Sequence, residues 1–287
     1  MLLPVNTLLR RLHNLAKNLG TMTSIVIGWY RNERTFWATR DAPVTFRKGD
    51  LSLKIKKDTI EVNIGGPAIF YYNSAKQFIN TISMINHQFL HDQYSWLDPK
   101  NKIVIDVGAN IADSSMYFAL KGAKKVYALE PSPYSYSLAK KNIRLSGMED
   151  RITLLNNAGG GAPGFVHIDS DAETFGGADL KHLAKGKRIG VVTLKGLLSR
   201  YELGTDCLLK MDCEGAERDI IINSDINTLR KFDRIMLEYH YGYLDIEKKL
   251  KAAGFKVKHT APVRSFNPEA EKTEMVIGLI TAEKTNE

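Results

Sequence analysis

Val104-Ile105-Asp106-Val107-Gly108-Ala109-Asn110-Ile111-Ala112-Asp113 is the stretch on which the fold is read. A short apolar run with one acid near its end has the length of a buried strand. Gly108 then allows a tight turn and a close approach of backbone to a ligand. A helix begins near Asp113 or Ser114, where free N–H groups can receive a carboxylate. In open α/β sheets, ligands bind outside the carboxyl ends of strands that turn into helices in this way.

The same alternation continues outward. Ile103–Val107, Lys125–Leu129 and Ile152–Leu155 are apolar runs of strand length. Helical stretches 113–121 and 133–145 lie between them, closed by Gly122 and Gly147. Strands follow at 206–211 and 234–239, then a helix at 243–253 ended by Gly254, then strands 255–259 and 274–282. Strand–helix alternation predicts a Rossmann-like, doubly wound, mostly parallel sheet of seven strands. No helix joins the last two strands, so the final one is expected to run antiparallel. Upstream, residues 43–72 read as β-hairpins (Val44–Phe46, Leu51–Ile55, Ile60–Ile64) separated by Lys-Gly-Asp, Lys-Lys-Asp and Gly-Gly-Pro turns. Residues 74–90 change to helical spacing through Phe78, Ile82, Ile85 and Phe89. Val5, Leu8, Leu9, Leu12, Leu15, Ala16 and Leu19 give the first nineteen residues an amphipathic helical stripe. The expected division is an N-terminal helical and β extension over 1–92 and an α/β domain over 93–287.

At the ends of the first two strands the residues suggest a ligand. Glu130, in Leu129-Glu130-Pro131-Ser132-Pro133, stands 22 residues beyond Gly108 and is placed to accept both hydroxyl hydrogens of a ribose. The glycines of a dinucleotide-binding turn are missing, and so is a Gly-Lys-Ser/Thr phosphate loop. A strand-end acid suits an ammonium group and a helix start suits a carboxylate. S-adenosylmethionine carries both, beside its ribose.

These residues resemble motif I of class I S-adenosylmethionine-dependent methyltransferases, and specifically the FkbM family. The family's Asp-x-Gly-Ala-Asn-x-Gly appears as Asp106-Val107-Gly108-Ala109-Asn110-Ile111-Ala112, with alanine in place of the last glycine, a change expected to crowd the cofactor slightly. Lys210-Met211-Asp212-Cys213-Glu214-Gly215-Ala216-Glu217 is similar to its Lys-x-Asp-x-Glu-Gly-Ala-Glu signature. Met236-Leu237-Glu238-Tyr239-His240 is similar to the acid-and-histidine end of the next strand. The likeness covers roughly residues 94–260. It implies methyl transfer, usually to a hydroxyl oxygen of sugars and other alcohols. It also implies that Asp106, Gly108, Ala109 and Asn110 line the methionine part, that Glu130, Pro131 and Ser132 hold the ribose side, and that Asn157 lies near the adenine. Tyr94 is a further candidate for covering the methionine tail.

An alcohol oxygen is a poor nucleophile until its proton leaves, so a base is expected nearby. Asp212, Glu214 and His240 end neighbouring strands and should face one crevice. His240 is the expected base, because an imidazole titrates near working pH, with Asp212 orienting it or binding the acceptor hydroxyl. Glu217 reads as a helix-start acid that complements the dipole. An Asp/Glu/His cluster could also hold a divalent ion, as in catechol-type methyltransferases, but nothing in the spacing demands metal, and no metal ligand is assigned. Arg264 in the 260–273 loop could clamp an acidic group of the acceptor.

Composition bounds the partners. With 44% apolar and 25% charged residues, the chain is an ordinary globule and not a disordered or fibrous one. Its longest apolar run, Met22–Tyr30, is too short to span a bilayer. Arg10 and Arg11 interrupt the N-terminal apolar run, so a cleaved leader is not expected. Cys207 and Cys213, the only two cysteines, have no metal or redox spacing and suit a reducing cytoplasm. The net charge of +8 is concentrated in residues 1–60, where eleven Lys/Arg face four Asp/Glu. Contact with a membrane surface or an acidic glycan would therefore come from that part. Residues 159–190 hold eight of the 22 glycines and read as a surface loop over the substrate. Two other functions compete. An RNA methyltransferase would use the same sheet, but Lys-Met-Asp-Cys-Glu stands where base-methylating enzymes carry Asn-Pro-Pro-Tyr, and no RNA-binding module is recognisable. A non-catalytic cofactor-binding scaffold is compatible with Ala112. The acceptor and the oligomeric state are not legible.

Overall fold

The computed structural model describes residues 44–48, 50–56, 58–72, 78–168, 186–266 and 274–285. The amphipathic stripe at 1–19 and the middle of the glycine-rich stretch lie outside the described residues. The chain divides into two compact units, Met1–Gln93 and Tyr94–Glu287.

In the first unit four strands form an antiparallel meander: β1 (Val44–Lys48), β2 (Leu51–Ile55), β3 (Thr59–Ile64) and β4 (Ile69–Tyr72), paired in chain order. Their period of two is visible in burial. Leu51, Leu53, Ile55, Ile60, Val62, Ile69 and Tyr71 are inside, while Lys54, Glu61 and Phe70 between them are partly exposed. Helix α1 (Phe78–Ile85) follows and runs into a π-helical turn at Asn86–Leu90.

The second unit is the doubly wound sheet. Its strands are β5 (Ile103–Val107), β6 (Lys125–Leu129), β7 (Ile152–Leu155), β11 (Cys207–Met211), β12 (Phe232–Tyr239), β13 (Phe255–His259) and β15 (Glu274–Lys284), ordered β13-β15-β12-β11-β5-β6-β7. The five from β12 to β7 are parallel, and β15 runs antiparallel between β12 and β13. Because β5 and β11 are interior strands covered on both faces, they read as apolar runs broken only by Asp106 and Lys210. Val104, Ile105, Cys207, Leu208 and Leu209 are at most 1% exposed. Helix α2 (Asp113–Leu120) follows β5 and α3 (Pro133–Leu145) follows β6. Ser132 caps α3, its Oγ accepting the Ser135 N–H at 3.3 Å, with Pro133 at the first helical position.

Three features depart from the expected pattern. The described ends of the glycine-rich stretch are not loop: β8 (Ala158–Gly159), β9 (Gly164–Ile168) and β10 (Lys187–Val192) make a separate three-stranded sheet. The supposed loop after β13 contains β14 (Val263–Phe266), which pairs with the first half of the long β15 and carries Arg264 exposed. Helix α4 (Leu194–Arg200), capped by Thr193, has an interrupted apolar pattern that periodicity did not flag. Helices α5 (Glu217–Asn223) and α6 (Ile226–Leu229) lead into β12, and α7 (Leu244–Ala252) fills the crossover to β13. Among the described residues no helix is long and apolar enough to cross a membrane.

Candidate active site

Parallel strands deliver their last residues to one edge, and the singled-out side chains are gathered there: Asp106 on β5, Glu130 after β6, Asn157 after β7, Asp212 after β11 and His240 after β12. On the β5–β6 side the central group is Glu130. It is 7% exposed, and its two oxygens accept the backbone N–H groups of Asn110 and Ser132, each at 2.8 Å. A carboxylate offers about four lone-pair positions, so two remain for hydroxyl donors. Burial pushes this carboxyl up to about 7, against the opposing pull of the two N–H groups.

Gly108, at φ +81°, brings β5 against β11 so closely that a Cβ there would overlap the Asp212 carbonyl oxygen. Gly108, Asn110, Pro131, Ser132 and Asn157 are half-buried and lie along this edge. Asn157 donates to the Gly190 carbonyl at 3.0 Å, tying the edge to the small sheet. Its neighbour Asn156 donates to the Glu130 and Pro131 carbonyls at 2.9 and 3.0 Å and fixes the turn that presents Glu130. The Asn156-Asn157 pair at a strand end was the available signal for both, and only the second was read.

Three residues expected to line the methionine part are withdrawn from the surface. Asp106 is fully buried: Ser114 and Ser115 donate to its Oδ2 at 2.7 and 2.6 Å, and the Lys210 ammonium lies 3.0 Å from its Oδ1. Parallel register puts Lys210 directly beside Asp106, and Lys210 also donates to the Gly108 carbonyl at 2.8 Å. Burial alone would lower this ammonium, but Asp106, then Tyr94 and Asp212, hold it well above the ordinary lysine value. Asp106 thus anchors the turn and the start of α2. Ala109 is buried as well, its N–H spent on the Leu129 carbonyl. Ala112 is buried in the left-handed region at φ +67°. Its departure from glycine therefore costs backbone strain of about 1–2 kcal/mol, and its methyl group crowds no open face. Tyr94, 6% exposed, packs on the Tyr117 and Phe118 rings with Lys210 5.9 Å from its ring centre.

On the β11–β12 side the acids and the histidine form a second cluster. His240 is 4% exposed, with Nδ1 3.3 Å from Glu217 and Nε2 3.4 Å from Glu214. Asp212 is near, but Glu217 is the acid against Nδ1. Burial lowers His240, and Glu217, Glu214 and Asp212 together overcome this and raise it to about 9. These acids therefore favour the charged imidazole over the free base expected from the sequence. Glu217 is 1% exposed and accepts the N–H groups of Cys213 and Gly215 at 2.6 and 2.9 Å. Its place in the first turn of α5 made it look like a dipole residue. Glu238, half-buried beside the same groups, is raised to about 7 by burial and by Asp212. Enclosure raises Asp212 too, against Lys210 and His240.

A cavity of about 580 Å³ opens at the opposite ends of these strands. Its charges cancel locally, Lys102 and Lys284 with Asp233 at 2.8 and 3.0 Å and Arg234 with Glu283 at 2.9 Å. It lies at the amino ends of the parallel strands, with only the carboxyl end of antiparallel β15 among its lining.

Residues 106–257 match the model of the methyltransferase FkbM domain. Over 56 residues, 20% of this chain, the sequence is 39% identical to ribosomal protein L11 methyltransferase of Carboxydothermus hydrogenoformans, covering 18% of that protein. Over 129 residues, 42% of this chain, it is 28% identical to tRNA (guanine(37)-N(1))-methyltransferase Trm5b of Methanocaldococcus jannaschii, covering 36% of it. The chain thus spans less than two fifths of the length of either relative. Among solved structures, TrmK of M. capricolum, in complex with S-adenosyl-homocysteine, is similar at a TM-score of 0.43 and 12% identity, with 68% of each chain covered.

Proposed function

The chain belongs to the methyltransferase FkbM domain family, and from that premise we propose that it moves the methyl group of S-adenosylmethionine to a hydroxyl oxygen of a glycan, glycolipid or other small alcohol. When bound, the cofactor supplies a methyl group already activated on a sulfonium. The chain must hold donor and acceptor in line and exclude water. Glu130 has the two remaining lone-pair positions for ribose hydroxyls, with Asn110 and Ser132 holding it from behind. Gly108 keeps the turn free of a side chain, and Lys210 with Asp106 fixes that turn from inside. Asn157, at the end of β7, would stand on the adenine side of the bound cofactor.

The observation that carries the choice of acceptor is the cluster after β11 and β12. Four carboxylates, Asp212, Glu214, Glu217 and Glu238, surround His240 there. Half-exposed Asp212, Glu214 and Glu238 can meet a hydroxyl hydrogen, while His240 and Glu217 behind them are out of its reach and hold the loop in place. Such a cluster repels phosphates, which argues against RNA even though one relative is named as a tRNA methyltransferase. Two free cysteines, Cys207 and Cys213, fit a reducing cytoplasm.

The test is transfer of a labelled methyl group to a panel of oligosaccharides, glycolipids and small alcohols beside total RNA and ribosomal protein. Label in an alkali-stable ether of an alcohol is the expected product. Label confined to RNA or protein would overturn the assignment of acceptor.

A further inference from the structure

The cluster after β11 and β12 has a geometry that proton acceptance alone does not use. One donor atom from each of Asp212, Glu217 and His240 lies within 4.8 Å of the other two. His240 is 4% exposed, and its Nδ1 has no hydrogen-bond partner although Glu217 Oε1 is only 3.3 Å away. The ring nitrogen is thus in contact with the carboxylate but out of line with it, and a buried polar atom is rarely left so. Glu217 cannot swing to correct this, because the Cys213 and Gly215 N–H groups hold both its oxygens. Glu214 and Gly215 sit at positive φ, +57° and +111°, which locks the loop between Asp212 and Glu217.

We propose that Asp212, Glu217 and His240 bind one divalent cation. Two carboxylates and one imidazole, whose Nδ1 proton the cation displaces to solvent on binding, form a mixed oxygen–nitrogen set, which favours Mn²⁺, Fe²⁺ or Zn²⁺ over Ca²⁺. Each carboxylate keeps lone pairs beyond those its N–H donors use. Asp212 is half-exposed, so the site is open on one side, and Glu214 and Glu238 stand beside it. A cation here would relieve the repulsion among four carboxylates and supply Lewis acidity toward a hydroxyl oxygen. The assignment of this role rests on the proposed alcohol acceptor, whereas the binding itself does not.

The test is a titration of the chelator-treated full chain with Mn²⁺, read by electron paramagnetic resonance, and with Zn²⁺, read by calorimetry. The wild type is expected to take up one ion per chain. His240→Gln and Asp212→Asn should weaken binding at least about tenfold, while Asp245→Asn, on the surface beside Arg218, should leave it unchanged. Because a variant can fail to fold, the melting temperature of the wild type with and without Mn²⁺ gives a second reading, expected to rise with the ion. A folded wild type that binds neither ion, or variants that bind like it, would overturn the proposal. S-adenosyl-homocysteine binding is measured on the same samples, so loss of the cofactor reading and loss of the cation reading are told apart.

Discussion

Glu130 shows how one buried carboxylate can make cofactor binding depend on pH. Enclosure raises it to about 7 in the free protein, and hydroxyl donors favour its ionised form. Binding of the cofactor should therefore weaken as pH falls through 7, approaching about tenfold per pH unit once the group is protonated. Calorimetry with S-adenosyl-homocysteine at pH 8, 7 and 6 checks this, and an affinity that is flat over that range would contradict it. At Gly108 the constraint is steric. Ala there combines φ +81° with overlap of the Asp212 carbonyl, so Gly108→Ala should cost about 2–4 kcal/mol in denaturant unfolding. The positions of Glu130 and Gly108, a strand end and a strand-to-helix turn, could be read from the sequence because the strand–helix alternation fixes both. The role of Glu217 could not. An acid in a first helical turn looks the same in sequence whether it faces solvent or a buried histidine.

Between elements, the parallel register of β5 and β11 sets Lys210 against Asp106 in the interior. Breaking one member of a buried pair leaves an uncompensated charge, so Lys210→Met should destabilise the chain by about 3–5 kcal/mol. Asp106→Asn combined with Lys210→Met should cost clearly less than the two single changes added, a coupling that a double-mutant cycle measures. Additive effects would mean that the two side chains do not act as a pair. The strands themselves were legible. Ile103–Val107, Lys125–Leu129 and Ile152–Leu155 fall on the expected residues because buried parallel strands between helices leave largely apolar runs, and the antiparallel Phe255–His259 was marked by Gly254, which ends the helix before it. Strands β9, β10 and β14 were hidden, since short strands that mix apolar residues with glycine or charged residues lack that signature.

At the scale of the molecule, strand–helix alternation gave the doubly wound sheet, and the unhelical link before β15 gave its antiparallel strand. What alternation cannot give is the division of labour along one edge. A single buried carboxylate with two lone-pair positions to spare stands at the end of β6, and a crowd of carboxylates around a histidine stands at the ends of β11 and β12. Local sequence names the members of each group, but only the register of distant strands and the loop from Asp212 to Glu217 bring them together. The withdrawal of Asp106 follows from the same cause, because its partner Lys210 is more than a hundred residues away.

The central claim is that this edge binds S-adenosylmethionine through Glu130. Its most direct test is a calorimetric titration of S-adenosylmethionine into the wild type and into Glu130→Ala, with NADH as control. One saturable site in the wild type, no response to NADH, and binding weakened at least tenfold in the variant, a loss of about 1.4 kcal/mol or more, are the expected results. A folded wild type that does not bind, or a variant that binds as tightly, would contradict it.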